Sequence, residues 1–262
     1  MSADASATAA PADVEIRFDH VSKAFFRDSR NRTDAFRAVD DVTLDIHKGE
    51  IVALLGKTGC GKSTMFNMIA GLIDPSEGKV LVCGKDPFRN FDWFRGRIAV
   101  VFQNDRLLPW RTAIANVELG LEMLDVPKER RRAVAQHWLS KLGLGGHEND
   151  YPHALSGGMR QRVSIARAFA TDASLLLCDE PFSALDEMTG QRLRVEFVAL
   201  VRENKKTAVF ITHSIDEALQ LGDRIITLTR PANIAYEVKL DKNATAADRE
   251  RIRARIREVL SA

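Results

Sequence analysis

Cysteine is scarce in this chain. Cys60, Cys83 and Cys178 are its only three, and no C-x-x-C spacing links any of them. That argues against a disulfide-stapled domain and the common zinc scaffolds, and it fits a reducing cytoplasm. Long apolar runs are missing too. No stretch approaches the roughly 18 residues that a membrane-crossing helix needs, although 45% of the residues are apolar, enough for a sizeable core. Charge of one sign is not in excess, since 38 Lys and Arg stand against 36 Asp and Glu. Counterion-driven binding needs basic residues gathered on one face, so no nucleic-acid partner is expected. The start, MSADASATAAPA, lacks a basic segment followed by a long apolar one, so residues 1–13 read as a disordered tail and not as a secretory signal. No internal repeat and no linker divides the chain into two independent domains.

What is present alternates between strand and helix. Val14, Ile16 and Phe18 alternate with polar neighbours, as do Val42, Leu44 and Ile46, which predicts two half-buried strands. Ile51 to Leu55 is a continuous apolar run before Gly56 and predicts a buried strand, with a helix from about Lys62 to Ala70. Further short strands are expected at Lys79–Cys83, Ile98–Phe102, Ser174–Cys178, Thr207–Ile211 and Ile225–Leu228. Asn104 to Tyr151 reads as a helical insertion, with Pro127 as a first-turn proline, Val134, Trp138 and Leu142 on one face, and Gly143 closing it. Leu193, Phe197, Leu200 and Val201 share another helical face, and Ser214 and Glu217 have the spacing of a capping box. This alternation predicts a parallel sheet covered on both sides. A last helix, Asp248 to Leu260, carries Ile252, Ile256 and Leu260 on one stripe opposite a solvated charged face.

Gly56 to Ser63, GKTGCGKS, matches the phosphate-loop pattern G-x-x-x-x-G-K-[ST] between a strand and a helix. Gly59 and Gly61 let the backbone curl so that N–H groups converge on an anion, and the helix adds its positive end. Lys62 can reach terminal phosphates, and the Ser63 hydroxyl can ligate magnesium. Cys60 lies near that helix start, which lowers thiol pKa in general; alkylation that blocks activity in the parent but not in Cys60→Ser is therefore an expectation. LLLCDE (Leu175–Glu180) ends an apolar strand in two carboxylates, which strand geometry would send to opposite sides. Asp179 suits magnesium and Glu180 an attacking water's proton, though D-E-P is also ordinary turn chemistry. His213 ends another apolar run just before a helix, where a lone histidine is more often a cap than a catalytic group.

LSGGMRQR (Leu155–Arg162), upstream of LLLCDE, gives the pieces a specific order. From about Val14 to Leu240 the chain closely resembles the ATP-binding subunits of ABC transporters. The resemblance implies an α/β P-loop NTPase core of RecA-like type with an antiparallel β subdomain and an α-helical insertion at about 104–170. It places an ABC ATPase domain at 14–240 and a C-terminal helix at 241–262. It implies ATP and Mg2+ as cofactors, with nucleotide contacts from Phe25 (Phe26 being a neighbouring candidate), Gly56, Lys57, Thr58, Gly59, Cys60, Gly61, Lys62, Ser63 and Thr64. Ser63, Gln103 and Asp179 would serve the metal, and Glu180, His213 and Lys62 the chemistry. Ser156, Gly157 and Gly158 would bind the γ-phosphate of a second subunit's ATP, and Asp186 would touch that subunit. The implied partners are a second copy, integral membrane permease subunits and, indirectly, an extracytoplasmic solute-binding protein, at the cytoplasmic face of the inner membrane.

A narrower likeness, in LLPWRTAIANVELGLE (Leu107–Glu122), DEPFSALDEMT and TRPANI, is to the importers of nitrate, sulfonates and taurine. Lys57, Asn104 and Ser214 depart from that group's usual proline, acidic residue and aspartate, and none of the three removes a catalytic group. The rival classes are a soluble ABC protein acting on DNA or ribosomes, a small-molecule kinase or GTPase, and an exporter motor. The single compact unit, with about 90 residues between Gly61 and Ser156, disfavours the first. The signature and the acidic pair disfavour the second, and only the narrower likeness separates import from export.

Overall fold

The computed structural model describes residues 13–28, 31–241 and 243–261, so the expected tail lies outside it apart from Asp13. In chain order the strands are β1 (Val14–Asp28), β2 (Asn31–His47), β3 (Ile51–Gly56), β4 (Glu77–Val82), β5 (Ile98–Val101), β6 (Leu175–Asp179), β7 (Thr207–Thr212), β8 (Arg224–Leu228) and β9 (Ile234–Lys239). The helices are α1 (Lys62–Ile69), α2 (Ala113–Met123), α3 (Lys128–Lys141), α4 (Gly157–Ala170), α5 (Glu187–Glu203), α6 (Ile215–Leu221) and α7 (Ala246–Ser261).

The strands form two sheets. β2, β1 and β4 make an antiparallel one, and the larger has the order β5-β6-β7-β3-β8-β9. Its first five strands run parallel, and only β9 is antiparallel, paired with β8. β3 and β7 are buried along their whole lengths, as strands covered on both faces must be. In β1 and β2 the expected alternation holds, with Val14, Ile16 and Phe18 facing the core beside Val42, Leu44 and Ile46. Glu15 breaks it. Its carboxylate is buried and accepts from the Ser174 hydroxyl and the Cys83 thiol at 3.3 Å each, joining the two sheets. Burial and that carboxylate push the Cys83 thiol up to about 11.

α2 and α3 lie within the helical segment, and their core is continuous with that of the main sheet. Trp138 packs on Phe169, Phe169 on Phe197 and Phe197 on Phe210, with ring centroids 5.0, 5.5 and 5.3 Å apart. Buried aromatic rings of this kind each contribute roughly 1.5–3 kcal/mol through the area they remove from water. The chain of rings therefore ties α3 and α4 to α5 and β7. α7 lays Ile256, with Ile252 and Leu260 beside it, against Ala53, Leu55, Ala218, Leu219 and Ile225. Its basic face is largely matched by acids, for example Arg253 with Asp216 and Arg255 with Glu258.

Four local expectations change. β1 and β2 run much further than their apolar alternation, because their outer ends are held by pairing with each other, as at Phe25 and Phe36. β9 was not foreseen. Pro127 stands one residue earlier than expected, at the N-cap of α3 with φ −54°. The capping box of α6 is half formed: the Ser214 hydroxyl accepts from the Glu217 N–H, but the Ser214 N–H goes to Thr212 Oγ1 and not to the Glu217 carboxylate.

Candidate functional site

The phosphate loop turns between β3 and α1 on two left-handed glycines, Gly59 at φ +76° and Gly61 at φ +116°. Gly61 has a second constraint, since a Cβ there would lie 2.2 Å from the Ala38 carbonyl and 2.7 Å from Ala232. Strained backbone costs about 1–3 kcal/mol, and this contact with backbone adds to it. Gly61→Ala is therefore expected to lower the unfolding midpoint and weaken ATP binding together. An ATP titration and a thermal melt that both match the parent would contradict this account of the loop.

Lys62 is buried, and its ammonium donates to the carbonyls of Gly56 at 2.6 Å and Lys57 at 3.0 Å. The third of the ammonium's three protons makes only a long contact to Cys60 Sγ at 3.9 Å, which an anion in the loop would displace. The cleft in front is lined by Phe25, Phe36, Ala38, Gly59, Gly61, Lys62, Ser63 and Thr64. Phe25 and Phe36 face each other across β1 and β2, and both are partly exposed. Two cations sit over these rings, Lys23 on Phe25 and Arg230 on Phe36, each 5.4 Å from the centroid. Of the two sequence candidates Phe25 lines this cleft, while Phe26 lines an adjoining hollow with Phe25, Phe36 and Arg230; Phe36 and Arg230, brought there by strand pairing and chain crossing, were not named from the sequence. Cys60 is 2% exposed and packs within the loop. That burial disfavours ready alkylation of its thiol.

Register explains how distant residues meet. In the parallel sheet Leu55 stands opposite Thr212, Asp179 opposite Ile211, and Val101 opposite Cys178. The residues that follow, Gly56, His213, Glu180 and Gln103, therefore all emerge at one carboxyl edge, where open α/β sheets bind ligands. Asp179 is the last residue of β6, and burial together with the Glu180 charge raises its carboxyl, against the lowering pull of Lys62 and Arg106. Glu180 lies outside the strand at φ +44°, so a left-handed turn, and not the pleat, separates the two carboxylates. Its N–H donates to the Ile211 carbonyl at 3.0 Å, and its own carbonyl accepts from the Ser183 N–H and hydroxyl. Held this way, the Glu180 carboxylate meets His213 Nδ1 at 2.9 Å. Nδ1 is then assigned as the donor, which leaves Nε2 free to face a ligand.

The signature opens α4. The Ser156 hydroxyl caps it by accepting from the Met159 N–H at 3.3 Å, with Ser156 and Gly157 exposed. None of Ser156, Gly157 and Gly158 lines the cleft over the phosphate loop. Further along α4, three side chains grip the segment that carries Gln103. Gln161 donates to the Phe102 carbonyl, Arg160 to the Asp105 carboxylate, and Arg167 to the carbonyls of Asp105 and Arg106. Sequence reasoning missed this grip, which joins the signature helix to the Gln103 segment. Asp186 caps α5 by accepting from the Thr189 N–H at 3.0 Å, and such backbone donors hold its carboxyl below the usual range.

Magnesium fits this donor set. Among the described residues no group of three or more His, Cys, Asp or Glu could hold a metal. An ion bound chiefly through phosphates and water needs only one or two hard oxygens from the protein. The Ser63 hydroxyl, the Gln103 amide and the Asp179 carboxylate are oxygen donors with no hydrogen bond among the described residues.

Comparison with known proteins agrees with the geometry. Residues 39–183 match the family described as ABC transporter. An uncharacterized ABC transporter ATP-binding protein of Methanocaldococcus jannaschii is 43% identical over 229 residues, 87% of this chain and 83% of that protein. A taurine import ATP-binding protein of Yersinia pestis is 42% identical over 218 residues, 83% of this chain and 84% of that one. Among solved structures, a dimeric ATP-binding cassette in a post-hydrolysis state with ADP and phosphate superposes with a TM-score of 0.73. It is 34% identical and covers 86% of this chain and 99% of its own. A phosphate loop, an acidic strand end and a glycine-opened signature helix on this sheet therefore belong to an ATP-hydrolysing, ATP-binding subunit of the ABC transporter family.

Proposed function

We propose that this chain powers import of a small anion of the nitrate, sulfonate or taurine type, as one of two identical ATPase subunits docked on membrane permeases. The observation that carries the mechanism is the convergence of Lys62, Asp179, Glu180 and His213 at one sheet edge. Lys62 and the loop amides hold the phosphates, and Ser63, Gln103 and Asp179 hold magnesium, which offsets phosphate charge when bound. Glu180 takes the proton of the attacking water while His213 orients it and faces the γ-phosphate. Phe25, with Phe36 beside it, stacks the base.

The absence of Ser156 to Gly158 from the cleft supports their acting on a second copy's nucleotide. The dimeric cassette with ADP and phosphate is consistent with that arrangement. ATP then joins the two copies, since its phosphates meet the loop of one and the signature helix end of the other. Asp186 contacts the second copy from its exposed turn. Hydrolysis removes the bridge, and the reopening moves Gln103 and the helical segment against the permease. Similarity to a taurine import subunit supports both the direction of transport and the solute class. No described helix is long and apolar enough to cross a membrane, and the proposed location is the cytoplasmic face of the inner membrane, with a solute-binding protein on the far side.

Affinity purification from detergent-solubilised native membranes, followed by mass spectrometry, tests this reading. A multi-span permease is the expected companion. Recovery of ribosomes or nucleic acid without any membrane protein would overturn it.

A further inference from the structure

We propose that Glu217 is a positioning residue for His213. The inference rests on the role given to His213 above. His213 occupies a short link between β7 and α6, and its imidazole is 56% exposed, so packing does little to fix it. Its backbone is fixed from both sides. Thr212, 1% exposed, accepts the Ser214 N–H at 3.0 Å on its hydroxyl and donates that hydroxyl to the Glu217 carboxylate. The Ser214 hydroxyl in turn accepts the Glu217 N–H at 3.2 Å. His213 thus lies inside a closed ring of hydrogen bonds running through Thr212, Ser214 and Glu217.

A capping glutamate ordinarily stays in water and reaches back to the N-cap amide. Glu217 does neither. It is 7% exposed, and the Thr212 hydroxyl stands between its carboxylate and that amide. Burying a carboxylate is costly unless it is paired and hydrogen-bonded. Burial raises its carboxyl, as does the Glu180 charge, against the opposing effects of the Thr212 bond, Arg194 and His213. Arg194 joins α6 to the start of α5. From α5 it donates to Gln220 Oε1 at 2.7 Å and to Glu187 Oε1 at 3.0 Å, one residue beyond Asp186.

The test measures kcat, KM for ATP and thermal midpoint in the full chain for Glu217→Ala, Glu217→Gln, His213→Ala and the double variant Glu217→Ala/His213→Ala. Glu217→Ala is expected to lose about tenfold or more in kcat with KM within about threefold, measured well below its midpoint. Glu217→Gln keeps an acceptor for Thr212 and is expected to restore most of that loss. The double variant is expected to be no slower than His213→Ala alone. Losses that multiply in the double variant, or parent kcat in Glu217→Ala, would overturn the inference and leave the reading of His213 intact. Parent kcat in His213→Ala would instead overturn that reading, and the inference with it.

Discussion

Glu180→Gln is expected to bind ATP about as well as the parent while its steady-state hydrolysis falls by about two to four orders of magnitude, the usual contribution of a positioned general base. The substitution preserves size and still offers an oxygen to His213 Nδ1, now 2.9 Å away. The turn that aims residue 180 is also left in place, because the Ile211 and Ser183 contacts are made by its backbone. What disappears is the ability to accept the proton of the attacking water. Binding should survive because the loop amides and Lys62, which do not depend on residue 180, hold the phosphates. Nucleotide affinity from a fluorescent-ATP titration and turnover from phosphate release separate the two effects. Near-parent turnover would remove Glu180 from the general-base role. A collapse of affinity together with turnover would show instead that its charge organises the whole edge.

How much of this was legible beforehand follows from how local each feature is. GKTGCGKS and LSGGMRQR are contiguous strings, the first with Gly59 and Gly61 at the left-handed turn and the second with Ser156 at a helix cap, so both the loop and the opening of α4 could be read directly. The central strands were legible because burial on two faces forces continuous apolar runs such as Leu175 to Cys178. Features made by pairing were not. Phe36 enters the cleft because β2 folds back on β1, and no spacing in the sequence encodes that register. β9 did carry a signal, since Ile234, Tyr236 and Val238 alternate with exposed neighbours, but it is short and weak. The capping pattern at Ser214 and Glu217 was read correctly as a helix start and incorrectly as a reciprocal pair. Thr212, a strand residue outside the motif, supplies the competing hydroxyl. The left-handed turn at Glu180 was hidden too, because glutamate gives no hint of a positive φ.

Lys62→Ala should fail at the step before Glu180→Gln does, in nucleotide binding itself. Hydrogen bonds to charged groups contribute about 1.5–3 kcal/mol each, so losing the ammonium should weaken ATP binding by roughly ten- to more than a hundredfold. The structure adds a second effect. The same ammonium donates to the Gly56 and Lys57 carbonyls, so alanine leaves both carbonyls without that donor and loosens the loop even in the empty protein. Denaturant unfolding without nucleotide isolates this part, and an ATP titration measures the sum. If Lys62 acts through the phosphates, the loss of affinity should exceed the loss of apo stability, and it should be smaller for ADP than for ATP because Lys62 reaches toward the terminal phosphates. Equal losses for the two nucleotides, matched by an equal fall in apo stability, would make Lys62 a brace of the loop. ATP affinity equal to the parent's would contradict both roles.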